Sequence, residues 1–392
     1  MTSNIELLKG RTAQDCSARV SSWATEALTQ HGSAGTEPSA TNARARYKID
    51  REQPTLIQHD HLENTPTQMS YPTFNFHTTA EDVATAFSDE IKGKNVLITG
   101  TSIKGIGFET ARAIAKYANL VVITGYNEER LKLAEAAIKK EVPHAKIRTL
   151  ILDLSSFAAV RTAAAEVNAY EEPIHVLINN AAAPIGPFKP TVDGFENQMA
   201  TDHLGPFLFT ALIAPKILAT RTEKFTPRVV FVSSLGHTLC KGPDFETLRK
   251  PNPETHQPFN AYAQAKSANI LAAAELSRRS NGKINGYSLH PGAILTNIFD
   301  KEESHEVMKS LGILGPDGKP NTENIQWKTI PEGAATTVAA AFNPLLDASP
   351  GAYLDDSVVA NEKIDEHSAN PANAAKLWDL SEEIVGVKFT FE

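Results

Sequence analysis

The chain has 392 residues, 41% hydrophobic and 21% charged, with 22 Gly and 23 Pro, an ordinary globular make-up with length for a sizeable core. Its 38 Lys and Arg against 46 Asp and Glu give net −8, the wrong sign for a dedicated binder of nucleic acid or anionic membrane. Two cysteines, Cys16 and Cys240, exclude a disulfide framework or zinc ribbon, so a reducing compartment is expected, the cytoplasm first.

The first 68 residues are a different material from the rest. They hold 21 apolar residues (AVILMFWYC), with one Val and no Phe, too little large apolar surface to offset the entropy of ordering. A disordered, dispensable extension is expected, with the folded part starting near Met69. His59 and His61 flank Asp60 there, and a solvated tail explains them better than a metal, so no metal site is expected. The N-terminus lacks a basic segment followed by an apolar one, which argues against secretion, and its interspersed acids argue against a mitochondrial presequence. No run approaches the ~18 apolar residues of a membrane span.

From about residue 80 the pattern becomes regular. NVLIT at 95–99 is a continuous apolar run, the mark of a strand buried on both faces. Ala111, Ile114, Ala115 and Ala118 follow at helical spacing. Strands are then predicted at 120–124, 147–152, 176–179, 229–233 and 286–290. Helices are predicted at 128–141, around 157–170, within 193–220 and at 261–279. Strands alternating with helices argue for an α/β fold: one Rossmann-type, doubly wound parallel sheet with helices on both faces, spanning 69–392.

Between the first strand and its helix stands TGTSIKGIG, residues 99–107. Glycines here allow a tight turn and let backbone N–H groups approach a pyrophosphate at a helix N-terminus. Gly100, Ile103, Lys104, Gly105 and Gly107 are the candidate cofactor residues of this loop. An NAD site usually places an acid at the end of the second strand for the ribose 2′-hydroxyl. Here that end reads Thr124-Gly125-Tyr126-Asn127, with Asn127 fit to cap a helix and Glu128 and Glu129 suited to its dipole. Lys104 offers a cation for a 2′-phosphate, so NADP is expected rather than NAD.

Asp153-Leu154, Asn179-Asn180-Ala181-Ala182, Ser233-Ser234, Tyr262-x-x-x-Lys266 and Pro291-Gly292 follow in this order. With that set the chain resembles the short-chain dehydrogenase/reductases, most of all their retinol-dehydrogenase-like and WW-domain-oxidoreductase-like branch. The resemblance implies an alcohol/carbonyl oxidoreductase with Tyr262 as general acid/base, Lys266 lowering its pKa and holding the nicotinamide ribose, and Ser234 steadying the substrate oxygen. The spacing suits that chemistry. Tyrosine titrates near 10 on its own, and a lysine four residues on shares its helix face and favours the phenolate. By the same resemblance Asp153 would meet adenine, Asn180 the adenosine ribose, and Ile294 and Thr296 nicotinamide and phosphate. Asn179 can equally serve only to tie strands together. The family often dimerises through helices around 202–220 and 261–279, so a homodimer is implied, although core burial explains the apolar stretch 204–219 as well.

The chain departs from the family pattern in three places. Four residues separate Gly100 from Gly105 where three are usual, so the loop should bulge. The Asn-Asn-Ala-Gly motif ends in Ala182. The catalytic asparagine is replaced by Asp202, whose charge should offset part of the pull of Lys266 on Tyr262. The long span from Ser234 to Tyr262 and the Gly/Pro-rich stretch 299–327 should border a substrate cleft at the carboxyl ends of the strands. The leading expectation is an NADP-dependent oxidoreductase of a lipophilic small molecule; retinoid, steroid, fatty-chain and secondary-metabolite carbonyls all fit. A non-catalytic NADP-binding regulator or scaffold is the alternative, kept open by Asp202 and Ala182. A different Rossmann enzyme, such as a methyltransferase, has no use for the Tyr/Lys helix.

Overall fold

Six predicted strands become six parallel strands in the computed structural model of the chain, which describes residues 71–300 and 302–391. The 1–68 extension, with Cys16, His59 and His61, lies outside the described residues. The strands are β1 (Asn95–Ile98), β2 (Leu120–Gly125), β3 (Ile147–Ile151), β4 (Val176–Asn179), β5 (Arg228–Val232) and β6 (Asn285–Leu289). A short parallel pair, β7 (Ala293–Ile294) with β8 (Trp327–Lys328), stands apart from the sheet. β9 (Tyr353–Asp355) and β10 (Val358–Val359) complete it. The spatial order is β10-β9-β6-β5-β4-β1-β2-β3. Val96 of β1 pairs with Val121 of β2 on one side and Val176 of β4 on the other. Strand order therefore reverses at β1, and the crevice above a reversal is where open α/β sheets bind ligands. The sheet is parallel except at one edge, where β10 folds back antiparallel on β9. Those two short strands carry no long apolar run, and no such hairpin was expected.

Helices cover both faces. α1 (Ala80–Ala86), α2 (Ile106–Ile114), α3 (Glu128–Glu141) and, late in the chain, Ile330–Phe342 bury Val83, Ile114, Ile138 and Val338 against one face. α4 (Phe157–Asn168), α5 (Gly205–Leu218), α6 (Pro258–Arg279) and Pro371–Val385 bury Val160, Phe207, Leu271 and Trp378 against the other. Each fully buried Ile or Leu in these layers contributes about 1.5–3 kcal/mol. Local chemistry sets the ends. Asn127 Oδ1 accepts from Arg130 N–H at 2.9 Å, with Glu128 and Glu129 in the first turn and Lys139 and Lys140 in the last. The apolar stretch 204–219 is α5, buried along most of its length within the single chain, so its composition is accounted for by the core. No helix among the described residues is long and apolar enough to cross a membrane.

Candidate active site

The carboxyl ends of the strands open into a cleft of about 1080 Å³ that runs from the loop after β1 to the stretch 302–327. The glycine loop forms its floor at one end. Gly100 has φ +71, and a Cβ there would fall 2.7 Å from Ala181 Cα; at Gly107 it would fall 2.4 Å from Asn180 Nδ2. No side chain fits either place, so these glycines let the loop close tightly on Asn180 and Ala181, while Gly100 and Gly105 reach the cleft without a side chain. The extra residue of the loop is absorbed in a turn: Gly105 N–H donates to Ser102 O at 3.0 Å, and Lys104 takes a left-handed φ of 64°. Gly105 then opens α2. Asn297 straps the turn from above, its Nδ2 donating to Ile103 O at 3.1 Å and its N–H to Lys104 O at 3.4 Å.

Asn180 shapes the loop directly. Its Nδ2 donates to Thr99 O at 2.8 Å and to Gly100 O at 2.9 Å, while its own N–H donates to Thr99 Oγ1. Asn179 Nδ2 donates to Thr210 Oγ1 at 3.1 Å in the core, so this side chain ties the end of β4 to helix α5 rather than strand to strand. Asp153 Oδ1 accepts from both N–H and Oγ of Ser155 in a turn at the end of β3. Gly100, Gly105, Asp153, Asn180, Ile294 and Thr296 all line the cleft, whereas Ile103, Lys104 and Gly107 do not. The cation at the end of β2 is Arg130, which lines the cleft beside Tyr126. The loop lysine expected for a 2′-phosphate, Lys104, stands outside the cleft, whereas Arg130, set three residues into the capped turn of α3, lines it.

The Ser, Tyr and Lys expected to carry the chemistry lie across the cleft. Ser234, just past β5, accepts Gly236 N–H on its Oγ at 3.0 Å, leaving its hydroxyl proton to donate elsewhere. Tyr262 is half-buried on α6, against Phe259. A Cβ on Gly236 would stand 3.1 Å from the Tyr262 ring and 3.2 Å from Ser234 Oγ, so the two side chains converge on this glycine. Lys266, one turn on, lies with Nζ 5.4 Å from the Tyr262 ring centroid and 3.3 Å from Val232 O.

Asp202 does not line the cleft; it backs Lys266 from within. It sits on a π-helical turn, Ala200–Leu204, ahead of α5, a local distortion common at functional sites. Its Oδ2 is 3.1 Å from Lys266 Nζ and its Oδ1 accepts Ala183 N–H at 2.7 Å. Both side chains are almost wholly out of water. Burial pushes the Asp202 carboxyl up, against the pull of Lys266. Burial works to lower Lys266, but the Asp202 carboxylate and Tyr262 outweigh it and hold the ammonium above its ordinary range. The pair is one ion pair, with the amine charged.

The far end is apolar. Ile185, Met308 and Leu314 are buried together, with Phe259, Tyr262, Ile313 and Trp327 packed on them. As the sequence suggested, Leu239 and Phe259 from the 234–262 span and Met308, Ile313 and Trp327 from 299–327 border the cleft. Among the described residues no group of three or more His, Cys, Asp or Glu side chains is placed to hold a metal.

The family model for short chain dehydrogenase matches residues 94–241. The chloroplastic short-chain dehydrogenase TIC 32 B of Brassica napus is 34% identical over 315 residues, covering 79% of this chain and 93% of that protein. Retinol dehydrogenase 12 of Homo sapiens is 31% identical over 301 residues, covering 76% and 89%. Among solved structures, an uncharacterized protein from Mycobacterium paratuberculosis aligns with TM-score 0.57 and 25% identity, over 77% of this chain and 98% of that one.

Proposed function

The chain belongs to the short-chain dehydrogenase/reductase family of oxidoreductases, and on that footing we propose that it interconverts an alcohol and a ketone or aldehyde on a lipophilic small molecule with NADP. The observation that carries this reading is the convergence of Ser234 Oγ and the Tyr262 ring on Gly236, with the Lys266 ammonium behind the ring, in the cleft that the glycine loop floors.

A dinucleotide fits the residues present. Gly100 and Gly105 bring backbone without side chains to the cleft where a pyrophosphate would be held, and no acid stands at the end of β2 to claim a 2′-hydroxyl. Gly100, Gly105, Asn180, Ile294 and Thr296 would flank it, Asp153 would face adenine, and Arg130 would meet a 2′-phosphate. The chemistry such a group supplies when bound is hydride donation or acceptance.

The chain's own residues manage the proton and the developing charge. Ser234 donates its hydroxyl proton to the substrate oxygen and stabilises negative charge there. Tyr262 Oη gives a proton to that oxygen in reduction and takes it in oxidation. Lys266 favours the phenolate by charge. Asp202 keeps that ammonium charged in a site where burial opposes it. Ile185, Phe259, Met308, Ile313 and Trp327 offer an apolar wall for the body of the substrate and keep water from it.

The test is NADPH oxidation by the purified protein against a panel of lipophilic ketones and aldehydes, repeated with Tyr262→Phe. Turnover that falls by about a hundredfold or more in the variant, with NADPH affinity kept, is the expected result. Tight NADPH binding with no turnover on any carbonyl would instead make the protein a dinucleotide-binding regulator or scaffold.

A further inference from the structure

Ser234 caps a five-residue 3₁₀ turn, Leu235–Leu239. Two imidazoles hold the turn from opposite sides. Leu235 N–H donates to His290 Nδ1 at 3.2 Å, and His237 Nδ1 donates to the Ser234 carbonyl at 2.7 Å. Both bonds fall on one peptide unit, the amide that joins Ser234 to Leu235.

The partners are backbone groups with fixed roles: a carbonyl only accepts and an N–H only donates. His290 must therefore carry its proton on Nε2, and His237 on Nδ1. The far side of the His237 ring agrees, because its Nε2 accepts Asp365 N–H at 3.3 Å. His367, from the same segment, donates its Nε2–H to the His237 carbonyl at 3.1 Å. His237 and His290 are 0% and 6% exposed. Burial keeps both rings neutral, lowering His237 and bringing His290 to about 4. A second proton on either ring would turn an acceptor into a donor facing an N–H.

We propose that His237 and His290 are positioning residues of opposite tautomer that together fix the Ser234–Leu235 peptide, with the segment 365–367 setting His237. The physical need is orientation. Rotation of that peptide plane swings the Ser234 hydroxyl, and a misplacement near 1 Å costs on the order of a hundredfold in rate. The inference rests on the reading of Ser234 as the group that meets the substrate oxygen, but the tautomers can be measured without it.

The experiment has two arms on the full chain. Nitrogen–proton correlation spectra of protein with 15N-histidine at pH 7.5, with His237→Asn and His290→Asn assigning the signals, should show His237 protonated on Nδ1 and His290 on Nε2. In carbonyl reduction, Asn at either position places an amide donor or acceptor where Nδ1 was, and should keep about a third or more of kcat. His290→Leu, with no acceptor, and His237→Gln, which keeps only the Nε2-like acceptor, should lose about tenfold or more. Dinucleotide affinity should stay unchanged in all four. Opposite tautomers, a protonated ring at pH 7.5, or equal losses in Asn and non-Asn variants would overturn the proposal. The stated tautomers in a wild-type protein inert toward every carbonyl would uphold the grip and refute the role of Ser234.

Discussion

Asp202→Asn removes one negative charge from the buried pair and leaves its shape almost unchanged. Asp202 Oδ2 is 3.1 Å from Lys266 Nζ, which is 5.4 Å from the Tyr262 ring centroid, so the carboxylate stands within about 8.5 Å of that ring. At an effective dielectric of about 20, a unit charge at that distance opposes a phenolate by about 2 kcal/mol, on the order of 1.4 pH units. By the same rule Lys266 favours the phenolate by about 3 kcal/mol. The carboxylate therefore cancels about two-thirds of the help that the lysine gives. In the variant, the rising limb of alcohol oxidation should move toward acid by about one unit. Lys266 also loses the partner that kept it charged against burial, so activity should fall again at the alkaline end. The assay is kcat/KM against pH from about 5 to 10 for both proteins, with dinucleotide affinity measured at each point. A rising limb that stays in place, or moves toward alkali, refutes the electrostatic reasoning.

Arg130→Ala should weaken NADPH binding by about 10- to 100-fold and NADH binding hardly at all, as expected for losing a charge-assisted bond to phosphate; calorimetry on both cofactors checks it. Lys104→Ala should change either by less than about threefold, and the reverse ranking would restore the loop lysine as the partner. Gly236→Ala sets a methyl 3.1 Å from the Tyr262 ring and 3.2 Å from Ser234 Oγ; kcat should drop by about tenfold or more with the melting temperature little changed, and wild-type kcat would contradict the close approach. His203, bonded through Nε2 to Ser381 Oγ at 2.8 Å, is held by burial at about 3. Below the ordinary imidazole value near 6.5 the unfolded chain takes a proton the folded chain refuses, so stability falls with pH by about 1.4 kcal/mol per unit down to the folded value. Urea melts of His203→Gln between about pH 6.5 and 4.5 should show a slope shallower by that amount, and parallel slopes would rule the histidine out.

The parts of the molecule legible in the sequence are those with a local cause. A run such as NVLIT can be hidden only between two layers of helices, and it became β1. Asn127 before two glutamates announced the start of α3 to the residue. Tyr262 and Lys266 share a helix face by spacing alone. Asp202 stood out as a departure, and the structure adds what spacing could not: its ion pair with a lysine 64 positions later. What stayed hidden has causes distant along the chain. The β9–β10 edge is too short to carry periodicity. Arg130 belongs to the cleft only because β2 ends where it does. His237 and His290 earn their place by bonds across 128 and 55 positions, and Asn297 by one across 194. No composition or period marks such contacts.

The strap of residues 365–367 on His237 also orders events in time. Ribosomes release a chain from its beginning, and domains take shape as their partners emerge. β1 finds β2 soon after both are made, and β4 follows, so the floor of the cleft has its parts early. The turn holding Ser234 waits for nearly the last stretch of the chain. A protein cut short after β10 would contain Ser234, Tyr262 and Lys266 and lack the 365–367 contacts that hold the turn after Ser234. On the proposed role of Ser234, a chain cut after β10 should therefore be inactive although its sheet is complete.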